Sequence, residues 1–151
     1  MPSTRDNTAV AQPVYVQTTR VYAEIQHALD SGYTTVSEQG GARSSKTYNT
    51  VIWIVDYCRR HPGTKVNIIR KTGPSLRGSV LRDFLEIVDK FRLWDKKHWN
   101  KSELMYTFPN GSWVEFFSTD NETKLRGRKR DILYVNEANE LTEIEWKQLK
   151  M

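Results

Sequence analysis

Residues 40–47 read Gly-Gly-Ala-Arg-Ser-Ser-Lys-Thr, between a short run of alternating polarity at 33–39 and a helix-like run at 48–60. A glycine-started loop between a strand and a helix, closed by Lys-Thr, leaves few folds open. Its backbone N–H groups turn inward and the helix N-terminus adds partial positive charge, which together hold phosphate. The pattern G-x-x-x-x-G-K-[ST] is met at every fixed position but one, where Ser45 replaces the second glycine. The expected nucleotide-binding residues are Gly40, Gly41, Ala42, Arg43, Ser44, Ser45, Lys46 and Thr47. Lys46 is expected to reach the β- and γ-phosphates, with the Thr47 hydroxyl on Mg²⁺. Lysine at a helix start opposes the helix dipole, a cost that a polyanionic partner reverses. Arg43 suits a γ-phosphate contact that stabilises transition-state charge in cis; the other readings are a solvent-facing loop arginine or a subunit contact.

The segment 131–137, Asp-Ile-Leu-Tyr-Val-Asn-Glu, supplies a second half. Four apolar residues in a row suit a strand covered on both faces of a parallel sheet. Open α/β sheets bind ligands at the C-terminal ends of such strands. Asn136 can accept a hydrogen bond from a metal-bound water but brings no charge. Glu137 is the strand-end residue able to act as base toward an attacking water. The two motifs stand about 90 residues apart, in the order that a nucleotide site requires.

Composition narrows the class. With 38% hydrophobic and 27% charged residues, the 151-residue chain reads as globular, one domain or part of one. The net charge of +5 suits a nucleic-acid partner without establishing it. The single cysteine, Cys58, allows no internal disulfide and reads as packing. His27, His61 and His98 are scattered, so no zinc site is suggested. The polar N-terminus and the absence of any long apolar run predict a soluble, non-secreted, non-membrane protein.

Along the chain, residues 1–19 read as a flexible arm and 20–151 as a partial domain. Helical spacing runs over 20–29 and stops at Ser31-Gly32. The first core strand is expected at 33–39, with Tyr33 in the core. A buried helix follows over 48–60, then a strand at 66–69. Gly73-Pro74 opens a long helix with Pro at its first position. Runs at 104–108 and 113–117 flank Pro109-Asn110-Gly111-Ser112, a hairpin signal. Thr142 and Glu145 form a capping box at the start of the last helix. Strands at 33–39, 66–69 and 131–136 are expected to be parallel neighbours, with one sheet edge left uncovered. Lys124, Arg126, Arg128, Lys129 and Arg130 place five cations in seven residues. They suit contact with DNA phosphates, a solvated loop, or a neighbouring subunit's site.

Three stretches resemble the ATPase domain of a tailed-phage terminase large subunit. They are residues 40–47 with an arginine inside the loop, Arg70-Lys71-Thr72 followed by Leu76-Arg77-Gly78-Ser79-Val80, and Lys124-Leu125-Arg126-Gly127 leading into residues 133–140. Ser45 and Asn136 depart from the glycine and aspartate of many relatives. The resemblance implies an α/β P-loop NTPase fold (ASCE-like), with a mostly parallel sheet, flanking helices and an inserted β-hairpin. It implies ATP and Mg²⁺ as nucleotide and metal, with Thr47 and, through water, Asn136 at the metal, and Lys46, Arg43 and Glu137 in catalysis. It implies an ATPase motor moving double-stranded DNA into the procapsid, in a homo-oligomeric ring with portal protein and terminase small subunit, in the host cytoplasm. The family's nuclease domain lies beyond the matching motifs. The alternatives are another P-loop ATPase of helicase or recombination type, and a non-catalytic DNA-binding module with a degenerate loop.

Overall fold

A computed structural model describes residues 13, 15–39, 45–126 and 129–150. Helix α1 (Arg20–Asp30) ends where Gly32 takes a positive φ of 90°. Helix α2 (Lys46–Arg60) is apolar nearly all round, and Val51 to Val55 and Cys58 are all buried. Strand β1 (Lys65–Arg70) follows. Helix α3 (Gly73–Leu76) starts with Thr72 as cap and Pro74 in its first turn. A π-helical turn, Arg77–Leu81, joins it to α4 (Arg82–Lys90). Strands β2 (Trp99–Asn100), β3 (Met105–Thr107) and β4 (Trp113–Ser118), the short helix α5 (Glu122–Leu125), strand β5 (Ile132–Val135) and helix α6 (Glu143–Lys150) complete the order.

The five strands form one sheet in the order β2-β3-β4-β1-β5. β1 pairs parallel with both β4 and β5, while β2-β3 and β3-β4 are antiparallel. The expected hairpin is therefore present as β3-β4, with Gly111 at φ 85° in its turn. Side-chain alternation splits the core in two. Val66, Ile68, Val114 and Phe116 face α2 and α4, where Phe84 meets Phe116 edge-on at 5.0 Å between ring centroids. Ile69 and Phe117 face the other way, onto Leu125, Leu141 and Leu149 beneath α5 and α6. Helices thus cover both faces, and each buried aliphatic or aromatic side chain contributes about 1.5–3 kcal/mol.

Two expectations change. No strand forms at 33–39, where Tyr33 is 67% and Val36 37% exposed, so Tyr33 is not a core residue. Two large apolar residues in seven bury too little area to offset the ordering cost. β5 consequently ends the sheet, with its outer edge unpaired among the described strands. The long helix over 74–91 is interrupted by the π turn. The Ser75 carbonyl accepts from Arg70 Nη1 at 3.4 Å and from Ser79 Oγ at 2.7 Å, which diverts it from the regular i to i−4 ladder. Of the expected N-terminal arm, residues 1–12 and 14 lie outside the described residues. Val16 packs against the core, and the Thr19 amide donates to Asn49 Oδ1 at 2.7 Å.

Candidate nucleotide site

The parallel strands β1, β4 and β5 bring their C-terminal ends to one edge, with Arg70 beside Ser118 and Ile69 beside Val135. The Asn136 amide continues the ladder by donating to the Ile69 carbonyl at 2.8 Å. That fixes the Asn136 side chain, which is only 4% exposed, against the first turn of α2. Its Nδ2 donates to Thr47 Oγ1 at 3.0 Å and to the Tyr134 hydroxyl at 3.2 Å. Residues 89 apart in sequence, one from each motif, thus share a hydrogen bond. Lys46 and Glu137 are their immediate neighbours in the chain.

The start of α2 carries no acidic residue in its first turn, so nothing there compensates the positive end of its dipole. Its last turn holds Arg59 and Arg60, the favourable sign for that end. Asn49, buried in the second turn, braces the start: its Nδ2 donates to the Ser45 carbonyl at 2.8 Å, while its Oδ1 receives the Thr19 amide. The Ser45 hydroxyl lies 3.4 Å from Thr19 Oγ1. Lys46 is half-buried near Glu38. Burial pushes the Glu38 carboxyl up, with Glu24 adding to the push and the Lys46 charge working against it.

Across from this start, Glu137 is exposed and its backbone is left-handed, φ 56° and ψ 56°. For a non-glycine residue this conformation costs about 1–3 kcal/mol. It turns the chain sharply out of β5 into a short 3₁₀ turn, Ala138–Glu140. Burial raises the Tyr134 phenol above its ordinary value. Hydrogen bonds with Asn136, Thr47 and Thr50 oppose that rise, and the Glu137 carboxylate adds to it. Tyr134 therefore senses both the α2 start and the Glu137 charge.

A metal site here would need hard oxygen donors. Asn136 Oδ1 is buried and has no hydrogen-bond partner among the described residues, and it belongs to the amide already bonded to the Thr47 hydroxyl. The Thr47 hydroxyl, and the carbonyl oxygen of the amide whose nitrogen bonds it, are donors that fit the hydration shell of Mg²⁺, which keeps several of its waters. No group of three or more His, Cys, Asp or Glu residues able to hold a metal occurs among the described residues.

Gly40, Gly41, Ala42, Arg43, Ser44 and Arg128 lie outside the described residues. The remaining cations of the basic loop divide. Lys124 points inward, 3.6 Å from Glu103 and 3.8 Å from Glu115, which is 1% exposed on β4. Arg130 is half-buried and donates to the Leu125 carbonyl at 3.2 Å. Burial works against its charge, and Glu115 supports it. Arg126 and Lys129 are exposed.

Sequence reading left the roles of Arg70 and Lys71 open. Arg70 Nη2 lies 3.5 Å from Glu140, and Lys71 Nζ 2.6 Å from Glu145. The end of β1 is thereby tied to the segment that follows Glu137. The signal available was a pair of basic residues after one strand and acidic residues after the other. Asn49 and Tyr134 also went unassigned. A lone asparagine one turn after Lys-Thr, in an otherwise apolar helix, was the available sign for the first.

The family model described as phage terminase large subunit matches residues 34–151. The large terminase from the thermophilic bacteriophage D6E superposes with a TM-score of 0.66 at 13% identity, over 89% of this chain and 36% of that one. A variant of the ATPase domain of the Thermus phage P74-26 large terminase gives 0.56 at 17% identity, over 73% of this chain and 51% of that one. The chain thus spans about a third and about half of the lengths of these two relatives. No curated protein matches the sequence. The fold is the α/β fold of these large terminases. The chain belongs to the phage terminase large subunit family.

Proposed function

We propose that this chain carries the ATP-hydrolysing site of a motor that drives double-stranded DNA into a viral procapsid. The observation that supports this best is the Thr47–Asn136 hydrogen bond, which joins the phosphate-loop helix to the strand end that precedes Glu137. The amide groups at the α2 start and the Lys46 ammonium group bind the β- and γ-phosphates. The Thr47 hydroxyl would hold Mg²⁺, and Asn136 Oδ1 would accept a hydrogen bond from one of its bound waters. When bound, Mg²⁺ neutralises charge on the phosphate oxygens. Glu137 orients the attacking water and takes its proton, and Arg43 stabilises charge on the γ-phosphate.

Among the described residues of the basic loop, the exposed Arg126 and Lys129 are best suited to DNA phosphates. Membership of the family supports a ring, a portal protein, a small subunit and a place of work in the host cytoplasm. No helix among the described residues is long and apolar enough to cross a membrane.

Turnover and nucleotide binding in two variants test the proposal. Lys46→Ala should lose both, and Glu137→Gln should lose turnover by 10²-fold or more, roughly the range for removing an acid–base group, while still binding Mg²⁺·ATP. Unchanged turnover in Glu137→Gln would remove it as the base. Absence of ATP binding in the unmodified chain would favour the degenerate-loop reading.

A further inference from the structure

Opposite the nucleotide edge, residues 92–101 form the outer border of the sheet, and they are basic. The segment holds Arg92, Lys96, Lys97 and Lys101 and a single acidic residue, Asp95. Lys97 is 84% exposed and lies 3.7 Å from that carboxylate. Lys96 and Lys101 are exposed and form no ion pair among the described residues. Lys97, His98, Lys101 and Ser102 line an open groove of about 580 Å³ along β2.

This border is pre-shaped. The buried Tyr106 hydroxyl donates to the Leu93 carbonyl and accepts from the Asp95 amide at 3.1 Å. Asp95 Oδ1 accepts from the Lys97 amide, and Asn100 Oδ1 from the Glu103 amide, both at 3.0 Å. Held backbone lowers the ordering cost of binding.

The border also joins the basic loop. Lys124 Nζ donates to the Glu103 carbonyl at 3.4 Å and pairs with its carboxylate. The turn after β2 and the loop that carries Arg126 and Lys129 are thus stitched side by side.

The aromatic residues bear on the kind of partner. Trp94 stacks on Tyr106 at 5.6 Å and leans on Trp99 at 6.3 Å. Rings engaged in this packing offer poor platforms for unpaired bases, which bind by stacking. Trp94 stays 38% exposed with one face taken by Tyr106, so exposed cations outnumber available rings, which suits a duplex, whose outside offers phosphates.

We propose that the β2 border is a second duplex-DNA contact, with Lys97 and Lys101 gripping phosphates as one strip with Arg126 and Lys129. The proposal rests on the reading that this chain works on double-stranded DNA.

The test is fluorescence anisotropy of a labelled 30-base-pair duplex and of its single strand, titrated with the full chain from 50 to 200 mM salt. Lys97→Gln/Lys101→Gln, Arg126→Gln/Lys129→Gln and the fourfold variant are compared, with melting temperatures as the check on folding. Each double variant should weaken duplex binding at every sequence and flatten the log–log salt slope by about 1.8; the fourfold variant should flatten it by about 3.6. Wild-type affinity and slope in Lys97→Gln/Lys101→Gln would overturn the proposal and leave the motor reading standing. So would a preference for the single strand lost in the same variant. No duplex binding by the unmodified chain, with ATP turnover intact, would remove both the strip and the DNA part of the functional reading.

Discussion

Asn136 differs from the aspartate of many relatives by one charge, and its surroundings determine how that difference acts. Its amide donates to two hydroxyls, Thr47 and Tyr134, and both can rotate to donate instead. Asn136→Asp therefore keeps its bonds but buries a carboxylate where a neutral amide stood. Without nucleotide the variant should lose about 1–3 kcal/mol of stability, the range for a buried polar group left poorly compensated. With Mg²⁺·ATP it should regain more than the natural chain gains, and turnover should persist. Thermal melts with and without Mg²⁺·ATP check this, and a smaller gain than in the natural chain counts against Asn136 near the metal. At this scale the sequence displayed Lys46, Thr47, Asn136 and Glu137 because each sits at a fixed offset from a local signal. It hid Asn49, which takes the Thr19 amide from 30 residues away, Arg70, which reaches Glu140, and Tyr134, whose hydroxyl meets Thr47 and Thr50.

Elements with strong local chemistry were legible. Asn110-Gly111 gave the β3-β4 turn, and Thr142 and Glu145 form the reciprocal cap: Thr142 N donates to Glu145 Oε2 at 2.8 Å and Glu145 N to Thr142 Oγ1 at 3.3 Å. Partial burial of Glu145 opposes its ionisation. Hydrogen bonds from Lys71, the Thr142 amide and Thr119 outweigh that and hold its carboxyl at about 2, below its ordinary value. A depressed carboxyl stabilises the fold above its unfolded value, near 4.3. That stability is lost as pH falls from there toward about 2. Urea midpoints from pH 6 to 2.5 should therefore drop less steeply in Glu145→Gln than in the natural chain; parallel curves would contradict this. The strand at 33–39 was misread because alternation alone does not supply apolar area. The π turn was invisible because the hydrogen bonds that accompany it, from Arg70 and Ser79 to the Ser75 carbonyl, leave no periodic mark in the sequence.

For the whole molecule, the sheet order sets a hierarchy of protection. β1 and β4 lie inside the sheet, and β2 and β5 are its edges. Backbone amides of Asn67 to Ile69 should exchange slowest, and those of Ile132 to Val135 faster. Mg²⁺·ATP should slow the β5 amides most, because Asn136 ties that strand to the α2 start. Hydrogen exchange followed by mass spectrometry reads this directly, and protection gained only in β2 and β3 would oppose it. The parallel core was legible from two apolar runs. The parallel pairing of β4 with β1 was not, since it joins strands far apart in sequence and no local pattern encodes it.

The most direct test of one shared site is a double-mutant cycle between Thr47→Ala and Asn136→Ala, read as Mg²⁺·ATP affinity. If both side chains serve the same metal and phosphate, the two losses should couple by about 0.5–3 kcal/mol. Losses that add within about 0.5 kcal/mol would mean that the two motifs meet in the fold without acting together.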